Sequence, residues 1–225
     1  MSSILSTRLL SPSQKELLLN AKQNFVDYSA ISIEYLPVEI DEEFNNYIFT
    51  SQNGVKAFLK SMHHPDIYTK NVFCVGEKTK LLLKENNLKV LETAENASKL
   101  SKIIVQKYKN NSFFILSGNL RRPELSEAFK NNNVRYKEVI CYNTTLNYKR
   151  FDSTFDGILF FSPSGVLSFT KENSLTPSWA FCIGETTAEE AKKHTDQVVI
   201  ANKPTIENVL VQAIKHFNSP LFMGI

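Results

Sequence analysis

The sequence predicts an α/β protein with two lobes, each built on a doubly wound parallel sheet. Its 225 residues, 42% of them hydrophobic, can bury one large core or two smaller ones. Residues 47–58 and 158–169 are identical at five of twelve aligned positions, where chance gives about one. Residues 72–79 and 180–187 share Phe, Cys, Gly, Glu and Thr, and the two offsets are 111 and 108. Two matched pairs at nearly one offset indicate an internal duplication.

The N-terminal segment predicts a strand, a capped helix and a second strand. Ile4 and Leu5 start a short apolar strand, and Ser11 then precedes Pro12. Gln14 lies three residues after Ser11, which is the spacing of a capping box at a helix start. A run rich in β-branched and aromatic residues follows at 31–38 and predicts the next strand.

Each repeated segment predicts a strand, a turn bearing Gly or Ser, and a helix. After Ser51, the apolar residues Val55 and Phe58 lie at helical spacing. After Gly184, acidic side chains come early and basic ones late, the order that suits the helix dipole. Thr205 precedes a long apolar stripe and predicts the cap of a further helix.

The segment between the two copies predicts a fourth and a fifth strand. Residues 113–119 form an apolar run that ends in Ser-Gly-Asn, a helix with Pro123 near its start follows, and residues 134–142 form the next strand. The order of units along the chain is therefore four-five, one-two-three, four-five, one-two-three. Because each lobe needs five units, the N-terminal pair is expected to complete the C-terminal trio.

This order predicts one discontinuous lobe and one inserted lobe, both flavodoxin-like. The discontinuous lobe covers 1–37 plus 148–225, and the inserted lobe covers 38–147. The chain would cross between them twice in extended segments, which we expect to pair as a two-stranded β hinge. Ligands of open α/β sheets bind at the carboxyl ends of strands, so the cleft between the lobes is the expected site.

Composition excludes several classes of protein. The formal net charge of +3 and the lack of basic runs interleaved with aromatics argue against nucleic-acid binding. Apolar runs are far shorter than the ~20 residues of a membrane span, and no signal peptide is evident, so we expect a cytoplasmic protein. The three widely spaced cysteines predict buried free thiols. His63 and His64 precede Pro65 in what reads as a solvated loop, and we predict no metal site.

The turns after the predicted strands carry hydroxyls, amides and a few cations. Such groups, with free backbone N–H groups at helix starts, can bind carboxylates or phosphates without a metal. The same Ser and Thr side chains also serve as ordinary helix caps, so each position alone has two interpretations. Phosphate-loop, dinucleotide and nucleophile-elbow motifs are lacking. The candidate binding residues are Thr50, Ser51, Gln52, Lys78, Thr79, Gly118, Asn119, Arg121, Ser162, Ser164, Thr186 and Thr187.

Six motifs in order resemble the uroporphyrinogen-III synthase family over nearly the whole chain. The opening Leu-Ser-Thr-Arg at 5–8 is also similar to the family's first strand, whereas Gln52-Asn53 stands where the family usually has Pro. The motifs are Tyr-Ile-Phe-Thr-Ser at 47–51, Val-Phe-Cys-Val-Gly-x-x-Thr at 72–79, Leu-Ser-Gly-Asn-x-x-Arg at 116–122, Val-Ile-Cys-Tyr-x-Thr at 139–144, Phe-Phe-Ser-Pro-Ser-Gly at 160–165 and Ile-Gly-x-Thr-Thr-Ala at 183–188.

The resemblance implies a hydro-lyase of haem and porphyrin biosynthesis that needs no cofactor. It would close the linear tetrapyrrole hydroxymethylbilane to uroporphyrinogen III, with loss of water and inversion of ring D. The family pattern assigns Tyr142 as the acid that helps the hydroxyl leave, since a phenol with a pKa of ~10 stays protonated at neutral pH. The alternative for Tyr142 is an ordinary hinge aromatic. We expect a monomer, with at most transient contact to the preceding enzyme of the pathway.

Two other functions remain open from the sequence. One is a non-catalytic two-lobe protein that closes around a polyanionic small molecule without converting it. The other is a purely structural flavodoxin-like scaffold in which the Ser and Thr residues act only as caps. Turnover of hydroxymethylbilane separates the first from an enzyme, and binding of any anionic ligand argues against the second.

Overall fold

The computed structural model describes residues 1–41, 43–61, 68–121 and 123–219. The proposed loop histidines His63 and His64 lie outside these residues. The strands are β1 (Ser3–Ser6), β2 (Asn24–Asp27), β3 (Ile31–Tyr35), β4 (Asn46–Phe49), β5 (Asn71–Val75), β6 (Val90–Ala94), β7 (Ser112–Gly118), β8 (Arg135–Leu146), β9 (Gly157–Phe160), β10 (Trp179–Cys182) and β11 (Val198–Ile200). The helices are α1 (Pro12–Asn20), α2 (Gln52–Lys60), α3 (Glu77–Glu85), α4 (Ala97–Lys107), α5 (Glu124–Asn131), α6 (Pro163–Thr170), α7 (Glu185–Ala191) and α8 (Ile206–Phe217).

The chain divides into two compact units. Unit 1 consists of Met1–Ser32 and Thr145–Ile225, and unit 2 of Ile33–Thr144. The first change of unit therefore comes within β3, earlier than the predicted boundary at residue 37, and the second comes within β8. The two strands in which the chain changes unit, β3 and β8, are neighbours in one sheet.

Both sheets have the same strand order once the permutation is taken into account. Unit 1 has the order β2-β1-β9-β10-β11, with all pairs parallel. Counted along the chain this is 2-1-3-4-5, the doubly wound order of flavodoxin-like proteins. In unit 2 the order β8-β7-β4-β5-β6 is the same if β7 is counted first, and β3 lies beyond β8. The predicted α/β class with doubly wound parallel sheets is confirmed.

The sequence repeat corresponds to matching strands. β4 begins at Asn46 and β9 at Gly157, which is the offset of 111 found in the sequence. β5 begins at Asn71 and β10 at Trp179, the second offset of 108. The repeat thus matches β4 in unit 2 with β9 in unit 1, and β5 with β10.

The prediction for the fifth strand of unit 1 was wrong. That strand is β2, whereas the segment predicted at 31–38 forms β3 and joins β8 in the other sheet. β2 lies at the edge of its sheet, and only Phe25 and Val26 among its four residues are apolar. An edge strand buries little, so its sequence lacks the continuous apolar run that reveals the central strands.

The helix caps follow the sequence signals. At Ser11 both hydrogen bonds of a capping box are present: the Ser11 side chain accepts from the Gln14 amide, and the Gln14 side chain accepts from the Ser11 amide. Thr205 accepts from the Asn208 amide at 3.2 Å and caps α8. Both predicted helix starts are confirmed.

Each sheet is covered by apolar side chains on its two faces. In β4, Tyr47 and Phe49 pack in one cluster of unit 2 and Ile48 packs in the other. In β9, Ile158 and Phe160 likewise share one cluster of unit 1, and Leu159 lies in the second. Alternate residues of a strand point to opposite faces, so a run that is apolar throughout marks a strand buried on both sides.

The cysteines are free and buried, as predicted. Burial raises the pKa of the Cys141 and Cys182 thiols to about 12. None of the helices within the described ranges is both long and apolar enough to cross a membrane.

Candidate functional site

Each unit has a topological switch point, which is the place between two neighbouring strands where the connections that follow them lead to opposite sides of the sheet. In unit 2 it lies between β4 and β7, and in unit 1 between β9 and β1. Loops at the carboxyl ends of these strands diverge there and leave a crevice that commonly binds ligands. The candidate residues are described below for each unit separately.

Ser51 and Tyr142 meet at the switch point of unit 2. Ser51 follows β4 and caps α2 by accepting the Gly54 amide at 3.2 Å. Its Oγ also lies 2.9 Å from the Tyr142 Oη, and either hydroxyl can be the donor. Ser51 has one hydroxyl hydrogen and two lone pairs. It can therefore accept from Gly54 and donate to Tyr142, which leaves the phenol hydrogen of Tyr142 available for a ligand.

The Tyr142 phenol is protonated at neutral pH. Its partial burial raises the pKa above the ordinary value of 10, while the hydrogen bond from Ser51 acts in the opposite direction. The hydrogen bond from Ser51 matters for catalysis, because a donor to the phenol oxygen stabilises the negative charge that develops there when the proton leaves. The pair can therefore deliver a proton to a leaving group.

Tyr142 lies next to Gly118, a close approach that only glycine permits. β7 and β8 shift register between Ser117 and Gly118, and the shift pairs Gly118 with Tyr142. A Cβ placed on Gly118 would lie 2.7 Å from Tyr142 Oη and closer still to the ring carbons Cε2 and Cζ. The phenol ring thus occupies the space that any other residue at 118 would fill.

Asn119 holds the end of β8 against the turn that follows β7. Its backbone amide donates to the Tyr142 carbonyl at 3.2 Å. Its side chain donates to the Thr144 carbonyl at 3.2 Å and accepts from the Thr144 amide at 2.7 Å. The side chain of Asn119, a predicted ligand-binding residue, fixes the backbone on both sides of Asn143.

Arg121 is neutralised within its own unit. Its Nε forms an ion pair with Glu138, which also accepts a hydrogen bond of 2.9 Å from Ser117 Oγ. The Glu138 side chain is 13% exposed, so losing this cation would leave a largely covered carboxylate without its main partner. The predicted role of Arg121 as an anion-binding cation is therefore weakened by its existing partner.

The remaining candidates of unit 2 differ in accessibility. Thr50 and Gln52 flank Ser51 and are partly buried, whereas Lys78 is exposed on α3. Thr79 is buried, so its hydroxyl is covered and does not serve as a direct contact. Gly76, before α3, has a φ of 85°, a left-handed conformation that disfavours other residues at this turn.

The switch point of unit 1 carries a threonine directly after β1. Thr7 follows β1 and donates to the Leu159 carbonyl at 2.7 Å. Ser162 caps α6 by accepting the Gly165 amide at 3.1 Å, as Ser51 does in unit 2. Within the described residues, no tyrosine hydroxyl bonds to Ser162, so the phenol is particular to unit 2.

The other candidates of unit 1 lie on α6 and α7. Ser164 is partly buried and Thr186 is exposed. Thr187 is 1% exposed, so its hydroxyl is covered in the same way as that of Thr79.

Arg8 is a cation that the list of candidate residues lacked. It lies two residues after the end of β1 and is exposed. Its amide donates to the Ser6 hydroxyl, and its carbonyl accepts from the same hydroxyl. Among the described residues no carboxylate lies within ion-pair distance of Arg8, in contrast to Arg121. Its position in the turn after a predicted strand is the signal that could have identified it. The described residues hold no cluster of three or more His, Cys, Asp or Glu side chains placed to bind a metal.

Comparison with known proteins identifies the family. The family model of uroporphyrinogen-III synthase HemD matches residues 16–210. The chain belongs to the uroporphyrinogen-III synthase family. The porphyrin biosynthesis protein HemD of Ruminiclostridium josui is 26% identical over 214 residues, covering 82% of this chain. The match covers 42% of the HemD relative, so the chain spans less than half of that protein's length.

Solved structures of this synthase family have the same fold. The uroporphyrinogen-III synthetase of Helicobacter pylori superposes with a TM-score of 0.71 at 20% identity, covering 96% of this chain and all of the other. A mutant uroporphyrinogen III synthase of Thermus thermophilus has a TM-score of 0.72 at 13% identity, covering 96% and 98%. At such low identity these matches establish the two-lobe synthase fold rather than individual residue roles.

Proposed function

We propose that the chain is a uroporphyrinogen-III synthase that closes hydroxymethylbilane to uroporphyrinogen III, with loss of water and inversion of ring D. Membership of the family supports this reaction. The observation that carries the proposal is the protonated Tyr142 phenol, bonded to Ser51 at the switch point of unit 2.

The reaction needs one proton delivered to a leaving hydroxyl. The nitrogen of the pyrrole that carries the hydroxymethyl group pushes electrons towards the hydroxymethyl carbon. The C–O bond of that carbon breaks as Tyr142 donates its proton, and water departs. The resulting azafulvene is attacked by the substituted carbon of ring D to give a spiro intermediate. This intermediate opens and recloses with ring D inverted, and the ring carbon finally loses a proton, which restores the proton balance. Ser51 stabilises the transient phenolate by its hydrogen bond.

Most of the catalysis is orientation of a flexible substrate. The unbound chain reacts at the free carbon of ring D and gives the type I isomer, so the enzyme must hold ring D with its substituted carbon facing the azafulvene. We propose that the eight carboxylates are bound by many modest contacts from the turns of each unit. The accessible candidates are Thr50, Gln52, Lys78, Ser162, Ser164 and Thr186, with Arg8 as the cation that has no carboxylate partner among the described residues.

The test is to supply the purified chain with freshly prepared hydroxymethylbilane and to separate the oxidised products by isomer. We expect type III in excess and faster than spontaneous closure. Tyr142→Phe should slow type III formation at least several-fold while leaving the far-UV spectrum unchanged. Only type I product at the spontaneous rate would refute the synthase activity. Tight binding of the substrate without turnover would favour a non-catalytic binding protein instead.

We further propose a cytoplasmic monomer that takes its substrate from the preceding enzyme by transient contact. Three free buried thiols suit a reducing compartment. Sedimentation at increasing concentration tests the monomer, and a stable dimer at micromolar concentration would overturn it.

A further inference from the structure

We propose that Gly118 is a positioning residue, whose missing side chain creates the space in which the Tyr142 phenol reaches Ser51. This inference deepens the proposed function and rests on it for the catalytic consequence. The sequence had predicted Gly118 as part of a ligand-binding turn. The structure gives its position a different use, because the side of Gly118 where a Cβ would stand is filled by Tyr142.

The distances leave no room for a larger residue. A Cβ at position 118 would stand 2.7 Å from Tyr142 Oη and still nearer to two carbons of the ring. These atoms belong to a rigid ring that is already anchored, since the Tyr142 carbonyl accepts from the Asn119 amide at 3.2 Å and its hydroxyl bonds Ser51 at 2.9 Å. The ring cannot yield by a small bend, so a methyl group at 118 must rotate it away and break its bond to Ser51.

The duplicated unit supports the same interpretation. Phe113 pairs with the first residue of β4 as Ile4 pairs with the first residue of β9, so β7 matches β1 with Phe113 over Ile4. The counterpart of Gly118 is therefore Leu9, which carries a full side chain. The strand of unit 1 that corresponds to β8 is β2, and its residues Asn24–Asp27 include no tyrosine. The unit without the phenol thus also lacks the glycine, while both units keep the capping serine.

The chain offers a matched control for the effect of adding a methyl group. Gly157, the first residue of β9, lies in unit 1, and a Cβ there would come within 2.7 Å of the Phe217 ring and 2.9 Å of the Phe181 ring. Gly157→Ala therefore introduces a similar clash with aromatic rings in a hydrophobic core away from Tyr142. It should lower the unfolding midpoint by several degrees and leave kcat for type III formation unchanged in the folded protein.

The experiment is a double-mutant cycle between Gly118→Ala and Tyr142→Ala, measured by both activity and unfolding. Gly118→Ala alone should lower kcat for type III formation by the same factor as Tyr142→Ala, with little change in KM, and should lower the unfolding midpoint. In the Tyr142→Ala background the ring atoms are gone, so Gly118→Ala should change neither kcat nor the midpoint further.

The outcomes separate the two proposals. Wild-type kcat in Gly118→Ala, or a double mutant well below Tyr142→Ala in both readouts, would overturn the positioning role. If the wild-type chain makes no type III isomer, the proposed function fails. The double-mutant cycle measured by unfolding still tests the steric contact between Gly118 and Tyr142. Coupling of the two positions in that cycle then supports the steric inference, and strict additivity refutes it.

Discussion

The two capping serines provide an internal comparison that isolates the bond to Tyr142. Ser51 and Ser162 are separated by the repeat offset of 111, and each accepts a backbone amide, from Gly54 at 3.2 Å and from Gly165 at 3.1 Å. Only Ser51 also bonds the Tyr142 hydroxyl, at 2.9 Å. Substituting each serine by alanine removes the same cap in both units and the additional hydroxyl bond in one.

The expected costs follow from the bonds lost. A Ser cap replaced by Ala costs about 1 kcal/mol in the free energy of unfolding. A further hydrogen bond contributes about 1 kcal/mol. We therefore expect Ser162→Ala to destabilise unit 1 by about 1 kcal/mol and Ser51→Ala to destabilise unit 2 by about 2 kcal/mol.

Denaturant unfolding can follow the units separately. Trp179 is the single tryptophan and lies in β10 of unit 1, so its fluorescence reports on that unit, whereas far-UV circular dichroism reports on both. Ser162→Ala should shift the fluorescence transition, and Ser51→Ala should shift the part of the dichroism transition that fluorescence does not follow. Adding Tyr142→Phe to Ser51→Ala should cost almost nothing more, a coupling of about 1 kcal/mol. Equal costs for the two serines, together with simple additivity at Tyr142, would show that the bond contributes no stability.

Two further predictions concern charge. Burial among aromatic rings lowers the pKa of His216, so the unfolded state binds the proton more readily than the folded state. The stability of unit 1 should therefore fall as the pH drops below about 6.5. His216→Phe should flatten this part of the pH profile of stability, measured by Trp fluorescence, and an unchanged slope would contradict the prediction. Arg8→Ala should raise KM for hydroxymethylbilane several-fold. Arg121→Ala leaves its partner Glu138 unpaired and should mainly lower the unfolding midpoint. A larger increase in KM for Arg121→Ala than for Arg8→Ala would show that Arg121 is the cation that binds the substrate.

The features that could be predicted from sequence are those with strong local or repeated signals. The buried run at 46–49, its copy at the offset of 111 and the capping box at Ser11 each depend on residues that are close together in the sequence. The edge strand β2 was missed because exposure removes its apolar pattern. The role of Gly118 also could not be predicted, since it depends on a register shift that pairs it with a side chain on another strand.

Residues at the candidate site show the same difference. Ser51 was expected at the turn, but its bond to Tyr142 joins residues 91 positions apart in the sequence. The sequence predicted Arg121 as an available cation, but Arg121 forms an ion pair with Glu138 on the neighbouring strand. The residue type predicts which interactions a side chain can make. Strand pairing decides whether a neighbouring side chain already occupies it or leaves it available for a ligand.

The discontinuous build of unit 1 has a consequence for the order in which the protein forms. Ile4 in β1 pairs with Gly157 in β9, and at about 5–20 residues added per second the second strand emerges from the ribosome roughly 8–30 s after the first. Unit 2 is contiguous and can complete its sheet within that interval, while β1 and β2 await their neighbours with an unpaired edge. The inserted unit should therefore be the first to fold during synthesis, and the growing chain is most exposed to aggregation through the unpaired strands β1 and β2.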